Sequence, residues 1–227
     1  MALPTMRTEA RFADRAEAGR ELATALREYR GRDDVIVLAL PRGGVPVGFE
    51  VARELQAPLD VFVVRKLGLP AQPELAMGAI ATGGVQVLND EVVRTLGVPA
   101  STIAEVAARE QEELERRERL YRGDRPGRSV EGKTIILVDD GVATGSTMRA
   151  AVKALRMQRP AEIVVAIPVA PPETCEALRK DADRVVCVRT PEPFLALGAW
   201  YASFVQTPDA EIQELLARTR EDARSGD

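Results

Sequence analysis

Between Ile135 and Thr147 the chain reads Ile-Ile-Leu-Val-Asp-Asp-Gly-Val-Ala-Thr-Gly-Ser-Thr, and no other stretch constrains the fold so tightly. An apolar run of strand length ends in two acids, Asp139 and Asp140, and a loop of small residues then opens a helix from about Ser146. Strand, polar loop and helix in that order build α/β folds with a parallel sheet, where ligands sit just beyond the carboxyl ends of strands. A helix start offers free backbone N–H groups and the positive end of a dipole, which suits a phosphate. Gly145 lets the backbone come close, while Thr144, Ser146 and Thr147 add hydroxyl donors. A nucleotide-triphosphatase loop needs lysine where Ser146 stands, so that reading is disfavoured. Two carboxylates beside a phosphate would repel it, unless vicinal ribose hydroxyls or a metal ion lie between them. Helix capping would explain Thr144 or Ser146 singly, but not an acid pair at a strand end.

The rest of the chain supplies matching elements. The run VIVLAL (35–40) reads as a buried strand leading into Pro41-Arg42-Gly43-Gly44, followed by a helix over 45–56 and a second strand over 60–65. Lys66 to Pro73 is rich in Gly and Pro and reads as a loop, and GAIA and VQVL around Thr82-Gly83-Gly84 read as a hairpin. Phe12, Leu22, Ala23, Leu26 and Tyr29 recur at helical spacing, predicting a helix over 12–30. Thr102 and Glu105 suggest a capping box for a long helix reaching Tyr121 or Arg122. Its surface would carry the i,i+4 pairs Glu112–Arg116, Glu113–Arg117 and Glu115–Arg119. Further strands are expected at 134–138 and 162–167, and the chain after Ala217 is expected to fray.

Composition removes many functions. The 227 residues contain no histidine, which excludes histidine-based triads and histidine-ligated zinc or haem. A hard cation with oxygen ligands, such as magnesium, stays open. Acidic residues (35) outnumber basic ones (31), for a net charge of −4, so no global footprint for nucleic acid or an anionic membrane exists. The first twenty residues hold no apolar run, so no signal peptide is expected. The apolar runs are far short of a membrane span. Cys175 and Cys187 suit a reducing cytoplasm as plain core thiols.

The thirteen residues from Ile135 to Thr147 resemble the phosphoribosyl-pyrophosphate motif of the type I phosphoribosyltransferases: four apolar residues, two acids, two variable positions, then Ala-Thr-Gly-Ser-Thr. Leu40-Pro41-Arg42-Gly43-Gly44 is similar to that family's pyrophosphate loop, and Arg65-Lys66-Leu-Gly-Leu-Pro to the start of its flexible catalytic loop. The whole chain, from RFADRAEAG through WYASF, also resembles bacterial phosphoribosyltransferase-like proteins of unassigned acceptor. The resemblance implies an α/β fold: a parallel-sheet core with helices on both faces, and a small hood. The expected organisation is one domain over 1–227, with its core at about 30–168 and the hood at about 169–209. The N-terminal helix 12–30 is a candidate addition to the hood. The implied reaction transfers ribose 5-phosphate from 5-phosphoribosyl 1-pyrophosphate to a small nitrogenous base, with magnesium as cofactor. The alternative is a non-catalytic or regulatory protein that binds the donor or a nucleotide as effector. A homodimer is left open.

The same resemblance distributes roles. Backbone N–H groups of Ala143, Thr144, Gly145, Ser146 and Thr147 would hold the 5-phosphate. Asp139 and Asp140 would bind the ribose hydroxyls and touch the metal through water. Arg42, Gly43, Gly44 and Arg65 would receive the pyrophosphate, and Lys66 would bring its charge as a loop closes. Phe194 and Leu195 resemble the hood segment that stacks on a purine. In 6-oxopurine enzymes of the family an aspartate stands where this chain has Ala143, and AIPVAPPET (166–174) lacks their purine-reading lysine. A late aspartate is absent too, with Trp200 or Tyr201 near its place, so hypoxanthine and guanine are disfavoured.

Overall fold

The computed structural model describes residues 11–225. Residues 1–10, half of the segment read for a leader peptide, lie outside that range, as do the last two residues of the tail. Five parallel strands form the main sheet in the order β2-β1-β6-β7-β8: Leu59–Val61, Val35–Ala39, Thr134–Val138, Glu162–Val169 and Arg184–Arg189. Every residue of β1 and β6 is buried, because a parallel strand covered on both faces has no solvent side. Alternation sorts the side chains. Val35, Val37 and Ala39 face one way with Ile136 and Val138, toward Leu22 of α1 (Arg15–Ala25), its C-cap Leu26, and Val47 and Val51 of α2 (Gly44–Leu55). Ile36 and Leu38 face the other way with Ile135 and Leu137, toward Met148, Val152 and Leu155 of α5 (Ser146–Met157). The fold is therefore α/β with helices on both faces of a parallel sheet.

A second, antiparallel sheet, β3-β4-β5 (Val64–Leu69, Gln72–Ala81, Val85–Leu88), flanks the first. It corrects two expectations. The strand read as 60–65 is two strands. Asp60 and Val61 pair with β1, and then the Val63 amide donates to the Thr82 hydroxyl at 2.9 Å and carries the chain into the other sheet. The loop read over Lys66 to Pro73 is a hairpin: Lys66 pairs with Ala79 and Leu69 with Gln72, with register shifts on either side of Gly68. Gly68, which suggested a loop, instead admits neighbouring backbone, and so does Gly78 in the strand beside it. A Cβ on Gly68 would lie 2.4 Å from the Pro73 carbonyl oxygen, and one on Gly78 would lie 2.5 Å from that of Val87. The Thr82-Gly83-Gly84 turn between β4 and β5 is as expected.

Helical boundaries also shift. Phe12 lies outside α1, whose N-cap is Asp14, and instead forms an isolated bridge with Tyr201. A short helix, α3 (Asp90–Thr95), precedes the long α4 (Ala100–Arg122). The Thr102–Glu105 box is not made, because α4 begins three residues earlier behind Pro99 with no side-chain cap. On α4, Glu113 takes both Arg116 and Arg117, and Arg119 reaches Glu115 at 3.7 Å. The short α6 (Pro172–Leu178) precedes β8, and α7 runs from Asp209 to Ser225, so the chain remains helical past Ala217. No helix among the described residues is long and apolar enough to cross a membrane. Cys175 and Cys187 are free thiols.

Candidate active site

The site starts where β6 runs out. After Val138 the chain passes through Asp139 and Asp140 and turns at Gly141, where a Cβ would lie 2.3 Å from Leu197 Cδ1. The Val142 amide donates to the Val169 carbonyl at 3.0 Å, and the Thr174 hydroxyl donates to the Ala143 carbonyl at 2.6 Å. Gly145 then takes a left-handed conformation, φ 77°, that a residue with a Cβ adopts only at a cost. Helix α5 begins at Ser146 with no side chain capping it, whereas Asp14 and Asn89 cap α1 and α3. Its first amides, together with the Thr144, Ser146 and Thr147 hydroxyls, have no side-chain partner among the described residues. They line a cavity of about 210 Å³ bounded by Gly141 through Met148, Asp139 and, from β3, Lys66.

The sequence-predicted residues do not all meet there. Asp139, Lys66 and residues 143–147 do. Asp140 does not border this cavity. Its carboxylate is buried behind Asp139, lying so close to Gly43 that a Cβ there would meet Oδ2 at 2.0 Å. Gly43 and Gly44 pack under the acid pair; a Cβ on Gly44 would lie 2.7 Å from the Val138 carbonyl oxygen and 3.0 Å from Asp139 Cα. The preceding Pro41–Arg42 peptide is cis. The Arg42 side chain turns to Asp209 of α7, Nε to Oδ1 3.5 Å, and Arg65 is held by Glu110 of α4 at 2.7 Å. Phe194 packs half-buried beside Phe12 and Tyr201, while Leu195 is exposed.

Sequence reasoning missed Arg15. From the first turn of α1 its Nε and a terminal nitrogen both lie 2.8 Å from Asp140 Oδ2. Its other terminal nitrogen donates to the Val205 carbonyl at 2.6 Å, and its guanidinium lies 4.1 Å above the Phe204 ring. Tyr201, named in the sequence only as standing near the place of an absent aspartate, donates its hydroxyl to the Asp140 carbonyl. Burial followed by the neighbouring Asp140 charge pushes the Asp139 pKa well up. Burial also raises Asp140, opposed by Arg15, and burial raises the Tyr201 phenol. No cluster of three or more acids, cysteines or histidines able to hold a metal ion occurs among the described residues.

The site thus joins the uncapped start of a helix to a carboxylate at the end of a parallel strand. The phosphoribosyl transferase domain model matches residues 12–194, so the chain belongs to the phosphoribosyltransferase family. Two Mycobacterium tuberculosis proteins, from different strains, are each 47% identical over 211 residues, and their names assign them provisionally to phosphoribosyl transferases. These matches cover 93% of this chain and 47% of each relative, so the chain spans about half the length of the curated relatives it matches. A Thermus thermophilus protein of known crystal structure is 43% identical, with a TM-score of 0.82 over 92% of this chain and 98% of that one.

Proposed function

We propose that the protein transfers ribose 5-phosphate from 5-phosphoribosyl 1-pyrophosphate to the nitrogen of a small base. The observation that carries this reading is the single cavity shared by the uncapped start of α5, Asp139 and Lys66. Amides and hydroxyls of residues 143–147 would hold the 5-phosphate. Asp139 would accept from the ribose hydroxyls and sit near the cationic charge that grows at the anomeric carbon, with Asp140 backing it. The acceptor nitrogen bonds to that carbon as its bond to the pyrophosphate oxygen breaks. The electron pair leaves with pyrophosphate, and the acceptor's proton passes to solvent.

Lys66 lies at the cavity as a free cation among the described residues, ready for the pyrophosphate. Arg42 can join it cheaply, because its exposed pair with Asp209 is worth at most about 1 kcal/mol. Gly43 and Gly44 make room for the acid pair, and the backbone of their turn would lie beside the pyrophosphate. Arg65 keeps β3 against α4 through Glu110 and so places Lys66 beside it. Magnesium suits the donor set: one carboxylate facing the cavity, reached through water, with the pyrophosphate supplying the other oxygens. When bound it would neutralise the leaving group. Phe12, Phe194, Trp200, Tyr201 and Phe204 would form the hood, with Phe194 and exposed Leu195 on the acceptor side. Ala143 in place of an aspartate argues against 6-oxopurines.

Pyrophosphate release with the donor and a panel of adenine, hypoxanthine, guanine, xanthine, uracil and orotate tests the reading. Turnover with a base other than the 6-oxopurines is expected. Donor binding without release on any base would favour an effector-binding protein instead.

A further inference from the structure

Ala143 and Thr144 carry the cradle across a gap in the backbone hydrogen bonding. Before them, the Val142 amide is tied to β7 through the Val169 carbonyl at 3.0 Å. After them, the Gly145 carbonyl accepts from the Arg149 amide at 2.8 Å as α5 begins. Between those two ties a single hydrogen bond holds the chain among the described residues: the Thr174 hydroxyl donates to the Ala143 carbonyl at 2.6 Å. Thr174 lies outside the motif, in the first turn of α6, and does not border the cavity. It is only 6% exposed, so water is a poor substitute partner for the pair, and its own amide is already bonded to the Pro171 carbonyl at 3.1 Å.

The methyl group of Thr174 acts on the same loop. A Cβ on Gly145 would lie 3.2 Å from Thr174 Cγ2 and 3.8 Å from Leu178 Cδ2, so α6 backs the left-handed residue that leads into α5. Helix α6 is itself fixed from below, because Cys175 and Leu178 are buried in the same core as Met148 and Val152 of α5. Thr174 therefore offers the loop one polar and one apolar contact from a rigid base. A cradle of backbone amides binds an anion well only if those amides are held in advance, since each residue ordered on binding subtracts from affinity. We propose that Thr174 is a positioning residue for the donor's 5-phosphate: by holding the Ala143 carbonyl and packing on Gly145, it sets the backbone of residues 143–145 to receive phosphate. This rests on the function proposed above, and it goes beyond that function in giving a role to a residue outside every motif of the sequence. The effect belongs to one end of the donor. The pyrophosphate end, assigned to Lys66 and Arg42, depends on other elements and should not feel the loss of Thr174.

The test is calorimetric titration of three probes into wild-type protein, Thr174→Val and Thr174→Ser, with melting curves for each. The probes are 5-phosphoribosyl 1-pyrophosphate with magnesium, ribose 5-phosphate, and magnesium pyrophosphate. Valine keeps the shape and the methyl contact but cannot donate a hydrogen bond. Thr174→Val should weaken the donor and ribose 5-phosphate alike, on the order of tenfold, and leave magnesium pyrophosphate unchanged. Thr174→Ser, which keeps the hydroxyl, should retain most of the wild-type affinity. A role confined to general stability would weaken all three probes together, and that result overturns the proposal. So does a folded Thr174→Val that binds ribose 5-phosphate as tightly as wild type, or a Thr174→Ser that loses as much as the valine variant. If Thr174→Val does not fold, Thr174→Ala, which also lacks the hydroxyl, is held to the same criteria. Wild-type protein that binds neither the donor nor ribose 5-phosphate overturns the proposed function itself, whereas wild-type binding with an indifferent Thr174→Val overturns this proposal alone.

Discussion

Asp139 is held where an ionised carboxylate is uncomfortable: burial and the adjacent Asp140 both push its pKa well above the usual carboxylate range. Folding therefore favours the protonated form. Stability from this group is fullest below the unfolded-state pKa, and it declines as pH rises from there toward the folded-state value. At neutral pH the group is a net cost to the fold. Asp139→Asn should raise the melting temperature at pH 7 by about 2–8 °C, or ~1–2 kcal/mol, while weakening donor binding. Its advantage over wild type should shrink in acid, where both side chains are neutral. Melting curves between pH 4 and pH 8 give the check (roughly the range spanned by ordinary and raised carboxyl groups), and a lower melting temperature at pH 7 would mark Asp139 as structural. Asp139 and residues 143–147 were legible because they are contiguous, and a strand running into a glycine-bearing helix start fixes their mutual geometry locally. Arg15 was not, since its partner is far away in sequence. One faint signal existed: a cation in the first turn of a helix opposes the dipole, and such a residue invites a search for its anion.

At the scale of elements, β3 and β4 change what Lys66 can do. In a loop, the lysine could arrive late in the reaction. In a paired strand, opposite Ala79 and beside Arg65 locked to Glu110, its charge stands at the cavity before the donor binds. Interactions present in ground state and transition state alike lower KM without raising kcat. Lys66→Ala should thus weaken donor binding by roughly tenfold to a hundredfold, about 1.4–2.8 kcal/mol. Turnover at saturating donor should change little, and Lys180→Ala should be silent. Intact affinity with slowed turnover would instead mean that the hairpin moves during catalysis. The misreading of 66–73 came from Gly68 and Pro73. Glycine marks close backbone approach as well as turns, and Pro73 is tolerated because β5 reaches only Gly78–Ala81 of its strand. The lost capping box has a similar origin. Thr102 and Glu105 have the right spacing, but the helix starts behind Pro99, a choice that spacing alone does not encode.

Across the whole molecule, one buried sheet organises both the stability and the chemistry. Alternate residues of β1 and β6 feed two separate apolar cores, and both strands deliver their carboxyl ends to the same edge. Gly43 and Gly44 open α2 just beyond β1, Asp139 and Asp140 follow β6, and the packing of one pair requires the other. This level was legible from the alternation of strands and helices, because fully apolar strand-length runs demand cover on both faces. The tie from Phe12 to Tyr201 was not, since it depends on pairing between distant segments, and of the second sheet only the β4–β5 hairpin was read, because Gly68 and Pro73 hid the local pairing of β3 with β4. Binding of 5-phosphoribosyl 1-pyrophosphate with magnesium at this edge is what calorimetric titration of the donor, with magnesium and with EDTA, would detect. A single saturable site is expected with magnesium, weakened at least about tenfold by EDTA because no cluster of side chains among the described residues replaces the cation's charge. A cooperatively melting protein that binds no donor with magnesium, or binds it equally in EDTA, would contradict the proposed function.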